Sequence, residues 1–142
     1  MRSVSSQLRV ACLVVLLAWV TSAPAVAATD LIVTHPGLDL SGNDVEAIYR
    51  GLKRFVGASR LKPVDNLSAR SEFLKRKMGM NETSYHVYWE KLTFQEGIPQ
   101  PILVRSDKEV IEYVASNQGA IGYLKNAPPP ETRAKVKVLE EF

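Results

Sequence analysis

The sequence predicts an α/β fold in which a mixed sheet is flanked by about four helices. Short runs of apolar and β-branched residues alternate with longer segments of helical periodicity, and most of the helical segments carry start and stop signals. Strands separated by helices need crossover connections, so some of the strands should pair in parallel. The length suits a single domain.

The beginning of the chain, residues 1–28, is typical of a secretory signal peptide. Arg2 and Arg9 precede the apolar run Val10–Val20, and small residues that suit cleavage follow it. The run is shorter than the roughly 20 apolar residues of a transmembrane helix, so a retained membrane anchor is the less favoured interpretation. Cleavage would leave residues 29–142 as one α/β domain in the periplasm.

The charge and the cysteine content of the domain argue against a nucleic-acid partner and against disulfide bonds. Loss of Arg2 and Arg9 with the signal peptide would lower the formal net charge from +3 to +1, so we expect no nucleic acid as a partner. The single cysteine, Cys12, also lies in the signal segment. The domain would therefore be held together by packing rather than by disulfides.

The first predicted elements are a strand and a helix. Asp30–Thr34 is apolar and β-branched, as in a buried strand. Ser41 and Asp44 have the spacing of a capping box, and the helix that begins at Ser41 should end at Gly51. Its apolar face is expected to carry Val45, Ile48, Tyr49 and Leu52.

A basic, turn-rich segment, Leu52–Val64, predicts a hairpin or a tight loop around Gly57. Its cations form either an anion-binding patch or the solvated face of the hairpin, which is the favoured interpretation. They are Lys53, Arg54, Arg60 and Lys62.

Two further helices follow. The first begins at Ser68 and extends through Met78 to a stop at Gly79, and Asn81 caps the second. The second helix carries an apolar stripe that is typical of a core, formed by Tyr85, Tyr88, Trp89 and Leu92.

The last part of the chain alternates strand, helix and strand. Ile102–Val104 is a short strand, and the capping box Ser106–Glu109 begins a helix that should stop at Gly119. Ala120–Leu124 is the next strand, and Lys135–Leu139 alternates polar and apolar residues as a half-exposed final strand would.

Two local features of this last part have structural consequences. Gly122 lies inside a predicted strand, which it weakens unless another part of the chain or a ligand comes close. The prolines at 128–130 predict a stiff connector.

No catalytic or metal-binding arrangement stands out. His35 and His86 lack a second ligand at metal spacing, and neither Ser68 nor Ser71 has an evident base nearby. We therefore expect a protein that is not an enzyme and that uses no cofactor and no metal.

The best candidate for a ligand site is the segment Asp65–Phe73, where a strand turns into the start of a helix. Free N–H groups and the positive end of the helix dipole favour an anion there, and Arg70 adds a planar, always charged donor fork. The expected donors are the Ser68 hydroxyl, the N–H groups of Ala69, Arg70 and Ser71, and the Arg70 side chain. The alternative is an ordinary helix cap with an exposed arginine.

Four segments, in this order along the chain, carry a resemblance to a known family. They are Leu40–Gly51, Lys62–Phe73, Tyr88–Pro99 and Ser106–Tyr123. Their most specific parts are Ile-Tyr-x-Gly at a helix end, Tyr-Trp ahead of a Phe and a Gly, and Gly-Ala-Ile-Gly-Tyr. In these parts the sequence resembles short, exported relatives of the substrate-binding subunit of bacterial phosphate ABC importers, which have the type 2 periplasmic-binding-protein fold.

The resemblance implies one lobe of that fold, in an exported solute-binding protein that binds phosphate or a similar oxyanion non-covalently. The family brings an Arg, an Asp and a Ser-Gly-Thr turn to its ligand. Here Ser68, Ala69 and Arg70 take the place of the turn, so only the serine matches, and Asp65 stands near the family's upstream polar residues.

The implied partner is an ABC permease or another envelope protein. A homodimer is a further possible arrangement, in which a second copy of the chain supplies another wall for the anion. The alternative function is a non-transporting periplasmic interaction or scaffold module that keeps the fold without tight ligand binding.

Overall fold

The computed structural model describes residues 30–142, which form a five-stranded sheet, a two-stranded hairpin and five α-helices. The predicted signal peptide, residues 1–28, lies outside the described residues. Within residues 30–142, no helix is both long and apolar enough to cross a membrane.

Strands and helices alternate through most of the described chain. The strands are β1 Leu31–Thr34, β2 Phe55–Val56, β3 Ser59–Arg60, β4 Lys62–Asn66, β5 Ile102–Val104, β6 Ala120–Leu124 and β7 Lys137–Glu141. The helices are α1 Asp44–Tyr49, α2 Arg70–Phe73, α3 Glu82–Glu96, α4 Asp107–Ser116 and α5 Pro130–Arg133. Helix α2 continues directly into a π-helical turn, Leu74–Met78.

The sheet is mixed, as predicted. Its strand order is β5–β4–β6–β1–β7. β4 runs parallel to both β5 and β6, whereas β1 runs antiparallel to both β6 and β7. Ligands of open α/β sheets bind beyond the carboxyl ends of parallel strands, so a ligand site is expected at the end of β4, next to Asn66.

Helices cover both faces of the sheet. Ile32, Ile121 and Tyr123 point to one face, where they pack with side chains of α1, α2 and α3. Leu31 and Val33 point to the other face, where they pack with side chains of α4. This alternation with a period of two residues buries β1 and β6 on both sides.

The glycine inside β6 allows α4 to lie close to the sheet. A Cβ atom added at Gly122 would lie 2.5 Å from Cγ1 of Val110, which is shorter than any ordinary contact. The predicted close approach at Gly122 is therefore confirmed, and the neighbour is the side chain of a helix.

The hairpin and two helix caps are also confirmed. β2 pairs antiparallel with β3. The side chain of Asn81 accepts a hydrogen bond of 2.8 Å from the N–H of Ser84 at the start of α3. The hydroxyl oxygen of Ser106 accepts one of 3.3 Å from the N–H of Glu109 at the start of α4.

The first helix is shorter than predicted at its beginning. α1 begins at Asp44, and Ser41 lies before it, where its N–H and hydroxyl donate to Oδ2 of Asp44 at 3.0 and 3.2 Å. Leu52, expected on the buried face, is 73% exposed. Gly51 takes a left-handed conformation with a φ of +71°, so the helix ends before Leu52 and the side chain turns outward.

The end of the chain also differs from the prediction. The predicted stiff connector runs into the short helix α5, with Pro130 at its first position, where the fixed φ of proline suits a helix. The final strand begins at Lys137 rather than at Lys135.

Candidate functional site

β4 ends in two buried polar residues, Asp65 and Asn66, which are 4% and 0% exposed. Because β4 is parallel to both of its neighbours, these residues lie at the edge of the sheet where parallel strands end together. Buried polar groups cost free energy unless they are hydrogen-bonded, so the partners of these two side chains define the site.

Two tyrosine hydroxyls hold Asp65. Its Oδ1 atom accepts hydrogen bonds from the hydroxyls of Tyr123 and Tyr85, at 3.1 and 3.2 Å, while its Oδ2 atom accepts none from residues 30–142. Burial also raises the pKa of both tyrosines, so they remain protonated donors. The second carboxylate oxygen is therefore able to accept a further hydrogen bond.

The pKa of the Asp65 carboxyl lies close to neutrality. Burial raises it from 3.8 to about 6, against the opposing effects of the Arg70 charge and of the two tyrosine hydrogen bonds. The carboxyl is ionised above this pH and can then only accept hydrogen bonds, whereas below it the protonated form can also donate one.

Arg70 lies over the ring of Tyr85. Its Cζ atom is 5.4 Å from the ring centroid, within the range of a cation–π contact. The Nε atom of Arg70 is buried and has no hydrogen-bond partner within the described residues. A buried N–H group without an acceptor is unfavourable, so this group is a candidate contact for an anion.

Ser68 does not begin a helix. Its N–H and its hydroxyl both donate to Oδ1 of Asn66, at 3.1 and 2.7 Å. α2 begins two residues later, at Arg70, after an N-cap residue, Ala69, that makes no side-chain cap hydrogen bond. The prediction of a helix from Ser68 is wrong because the buried Asn66 side chain competes for the donors of Ser68 and holds the segment in a turn.

The other expected donors divide into two groups. The N–H of Ala69 donates to the carbonyl oxygen of Asn66 at 3.0 Å. Arg70 and Ser71 occupy the first turn of α2, where backbone N–H groups have no intrahelical acceptor. The structure thus brings Asp65 and Arg70 together around Tyr85, while donors of Ser68 and Ala69 bond within the turn.

Asn66 ties this turn to two other elements. Its Nδ2 atom donates to Oδ1 of Asp107 at 2.7 Å and to the carbonyl oxygen of Tyr123 at 3.0 Å. The Asp107 carboxylate also accepts hydrogen bonds from the N–H groups of Lys125 and Asn126, at 2.9 and 3.0 Å. The ends of β4 and β6 and the start of α4 therefore form one hydrogen-bonded unit next to Asp65.

Sequence reasoning missed the tyrosines as partners of Asp65. Tyr85 falls in the apolar stripe of α3, and Tyr123 lies in a strand whose pattern indicates only burial. A buried tyrosine hydroxyl needs a hydrogen-bond partner, and a lone buried aspartate would be the natural one. The tyrosines can be matched to Asp65 only when it is known which strands and helices lie next to each other.

The groups of this arrangement are chemically suited to an anion. A guanidinium group with an unpartnered N–H lies beside a carboxyl that can accept a hydrogen bond from a protonated ligand. Across residues 30–142, no group of three or more His, Cys, Asp or Glu side chains could hold a metal ion.

No family model and no curated relative matches the sequence. Two solved structures share its fold. An ABC-type phosphate transport receptor from Vibrio cholerae is similar with a TM-score of 0.53 and 19% identity, over 79% of this chain and 45% of the receptor. PstS from Borrelia burgdorferi is similar with a TM-score of 0.54 and 17% identity, over 79% of this chain and 46% of that protein.

These similarities establish the fold and nothing finer, because the identities are low. The chain spans less than half the length of the two receptors that it resembles. The described residues therefore have the fold of a single lobe, as the sequence resemblance implies.

Proposed function

We propose that this chain, which has the fold of one lobe of a phosphate transport receptor, is an exported solute-binding protein that binds phosphate or a similar oxyanion. The proposed binding groups are the Arg70 guanidinium, the N–H groups of Arg70 and Ser71, and the Asp65 carboxyl. Ser68 and Ala69 form the turn that carries these groups from β4 into α2.

The observation that carries the proposal is the buried, unpartnered Nε atom of Arg70. The guanidinium lies over the ring of Tyr85, with its Cζ atom 5.4 Å from the ring centroid. A planar guanidinium presents parallel N–H groups that match two oxygens of an oxyanion. A phosphate oxygen at Nε would supply the acceptor that this buried donor lacks.

Asp65 favours an oxyanion that carries a hydrogen atom. At a pH above about 6 the carboxyl is ionised, so its Oδ2 atom can only accept a hydrogen bond. Hydrogen phosphate and dihydrogen phosphate can donate one, whereas sulfate cannot and would be repelled. We therefore propose phosphate rather than sulfate as the ligand.

We expect the affinity of the chain alone to be modest. The described residues contain no second lobe that would close over the anion, so the ligand would remain in contact with water, where charge pairing is weak. A second copy of the chain would supply another wall. The signal-like pattern of residues 1–28 supports the proposed export, and an ABC permease or another envelope protein is the proposed partner.

Calorimetric titration with phosphate at pH 7.5 tests the proposal. Arg70→Gln should weaken binding at least tenfold, roughly the loss of one charge-assisted contact. Arg133→Gln is the matched control, because Arg133 is exposed, lies in α5 rather than at the end of β4, and forms no ion pair within residues 30–142. No heat from the wild type at millimolar phosphate, or equal binding by both variants, would contradict the proposal.

A second candidate function is the interaction module without tight ligand binding. It is favoured by the exposure of large apolar side chains such as Phe94 and Leu52, which are 92% and 73% exposed. The arrangement of neighbouring genes separates the two functions. Adjacent permease and ATPase genes would favour transport, and adjacent sensor or envelope-assembly genes would favour the module.

A further inference from the structure

A cavity lies at the opposite end of β4 from Asp65. Lys62 and Pro63, at the amino end of the strand, form part of its wall. The cavity has a volume of about 320 Å³, which is within the range of small-molecule sites. It is therefore separate from the proposed oxyanion site and large enough to take a small ligand.

The floor of this cavity is apolar. It is formed by Ile48, Leu61, Trp89 and Ile98, which belong to one hydrophobic cluster. The indole N–H of Trp89 donates to the carbonyl oxygen of Tyr49 at 3.2 Å, so it is not available to a ligand. The floor thus favours an apolar group and offers it no strong hydrogen bond.

The rim of the same cavity is basic. Lys53, Arg54, Arg60 and Lys62 all line it, and no Asp or Glu of the described part of the chain does. Lys53 pairs with Asp44 at 2.7 Å, whereas the other three cations have no salt bridge to a carboxylate of residues 30–142. The hairpin and the start of β4 therefore place three unpaired positive charges around an apolar floor.

We propose that this cavity binds an organic anion that has a carboxylate or phosphate head and an apolar tail. The tail lies against Trp89, and the head is held by Arg54, Arg60 and Lys62. Exposed cations alone hold a small inorganic anion weakly, because water screens the charges. An uncharged apolar molecule would fill the floor but leave the cations without partners, so the two halves of the cavity together select an amphiphilic anion.

Titration of the full chain with alkyl carboxylates at pH 7.5 tests this inference. Affinity should increase about fourfold for each methylene from butanoate to octanoate, until the tail fills the cavity. Octanol, which has the same tail without the charge, should bind at least tenfold more weakly than octanoate. Octyl phosphate in a parallel titration distinguishes a phosphate head from a carboxylate head.

Substitutions at the rim test whether octanoate binds in this cavity or at another apolar part of the chain. The double variant Arg54→Gln/Arg60→Gln should bind octanoate at least tenfold more weakly, and both side chains are exposed, so the fold should be kept. The same variant should bind inorganic phosphate as the wild type does. Arg133→Gln is the control and should leave octanoate binding unchanged.

Four results would overturn the inference. The first three are the absence of octanoate binding at millimolar concentration, an affinity that does not depend on tail length or on the charged head, and unchanged octanoate binding in the double variant. Tighter binding of a short glutamate–leucine peptide than of octanoate would also overturn it, in favour of a protein partner.

Discussion

The hydroxyl of Tyr123 donates a hydrogen bond of 3.1 Å to Oδ1 of Asp65, and so connects the interior of β6 with the end of β4. The ring of Tyr123 is buried and stacks on that of Phe73, with ring centroids 4.0 Å apart and an angle of 5° between the planes. Core packing thus fixes the position of a carboxyl group that lies in the proposed ligand site.

Asp65→Asn should change how stability depends on pH. Because the pKa of Asp65 is about 6 in the folded protein and lower when unfolded, the folded state binds the proton more tightly. The resulting stabilisation is fully present below about pH 4 and is lost as the pH rises through about 6. The shift of roughly two pKa units corresponds to at most about 3 kcal/mol.

Urea unfolding of both proteins at several pH values between 4 and 7.5 measures this difference. The wild type should lose stability relative to Asp65→Asn as the pH rises, since the amide does not titrate. A difference between the two proteins that stays constant over this range would show that the Asp65 carboxyl is not perturbed in the folded state.

Tyr85→Phe should destabilise the protein more at neutral pH than at acid pH. The variant loses the hydroxyl that donates to Asp65 at 3.2 Å, and a hydrogen bond to an ionised group contributes about 1.5–3 kcal/mol. At pH 4.5 the carboxyl is mostly protonated, so the loss should be closer to about 1 kcal/mol. Urea unfolding at both pH values measures the two losses.

Tyr88→Phe is the matched control for this prediction. The Tyr88 hydroxyl donates to the carbonyl oxygen of Arg50 at 2.6 Å, so the acceptor of that hydrogen bond is a neutral backbone group rather than a carboxyl. Its loss should therefore be the same at both pH values. A pH-independent loss in Tyr85→Phe as well would mean that the Asp65 charge contributes nothing to the bond.

The choice between phosphate and sulfate should depend on Asp65. The wild type at pH 7.5 should bind phosphate at least tenfold more tightly than sulfate, because the ionised carboxyl accepts a hydrogen bond from one anion and repels the other. Asp65→Asn should reduce this preference, since its amide can donate to either anion. Competition calorimetry with both anions measures the ratio, and an unchanged ratio in the variant would exclude Asp65 from the site.

Most of the fold could be predicted because its signals are local. Asn81 and Ser106 cap their helices through hydrogen bonds that span three residues, and such spacings are visible in the sequence. The start of α1 and the exposure of Leu52 could not be predicted, because they depend on how Ser41 and Gly51 set the direction of the chain. The predicted helix boundaries were therefore wrong where a turn competes with a helix.

The geometry of the candidate site could be predicted only in part, for a physical reason of the same kind. The segment around Asp65 and Arg70 shows a strand that turns into a helix, and both residues lie together in the structure. The partners of Asp65 are 20 and 58 residues away, so no local pattern connects them. Ser68 was misplaced because its donors bond to Asn66, whose burial depends on the whole sheet.

Gly119→Ala should destabilise the protein more than Gly97→Ala. Both glycines have a positive φ, +87° and +65°, which costs an alanine about 1–2 kcal/mol. A Cβ at Gly97 would meet nothing within 4 Å, but one at Gly119 would overlap the backbone oxygen of Arg60. Overcrowding adds roughly 1–3 kcal/mol, so Gly119→Ala should lose about 2–5 kcal/mol in total.

Urea unfolding of the two variants measures the difference in their free energies of unfolding. The substitution at Gly119 should also affect ligand binding. The Gly119 carbonyl oxygen accepts a hydrogen bond of 2.8 Å from the N–H of Lys62, at the rim of the basic cavity. Relief of the clash would move Arg60 or Lys62, so Gly119→Ala should also weaken octanoate binding, while Gly97→Ala should not. Equal losses of stability in the two variants would mean that the backbone around Arg60 yields without cost.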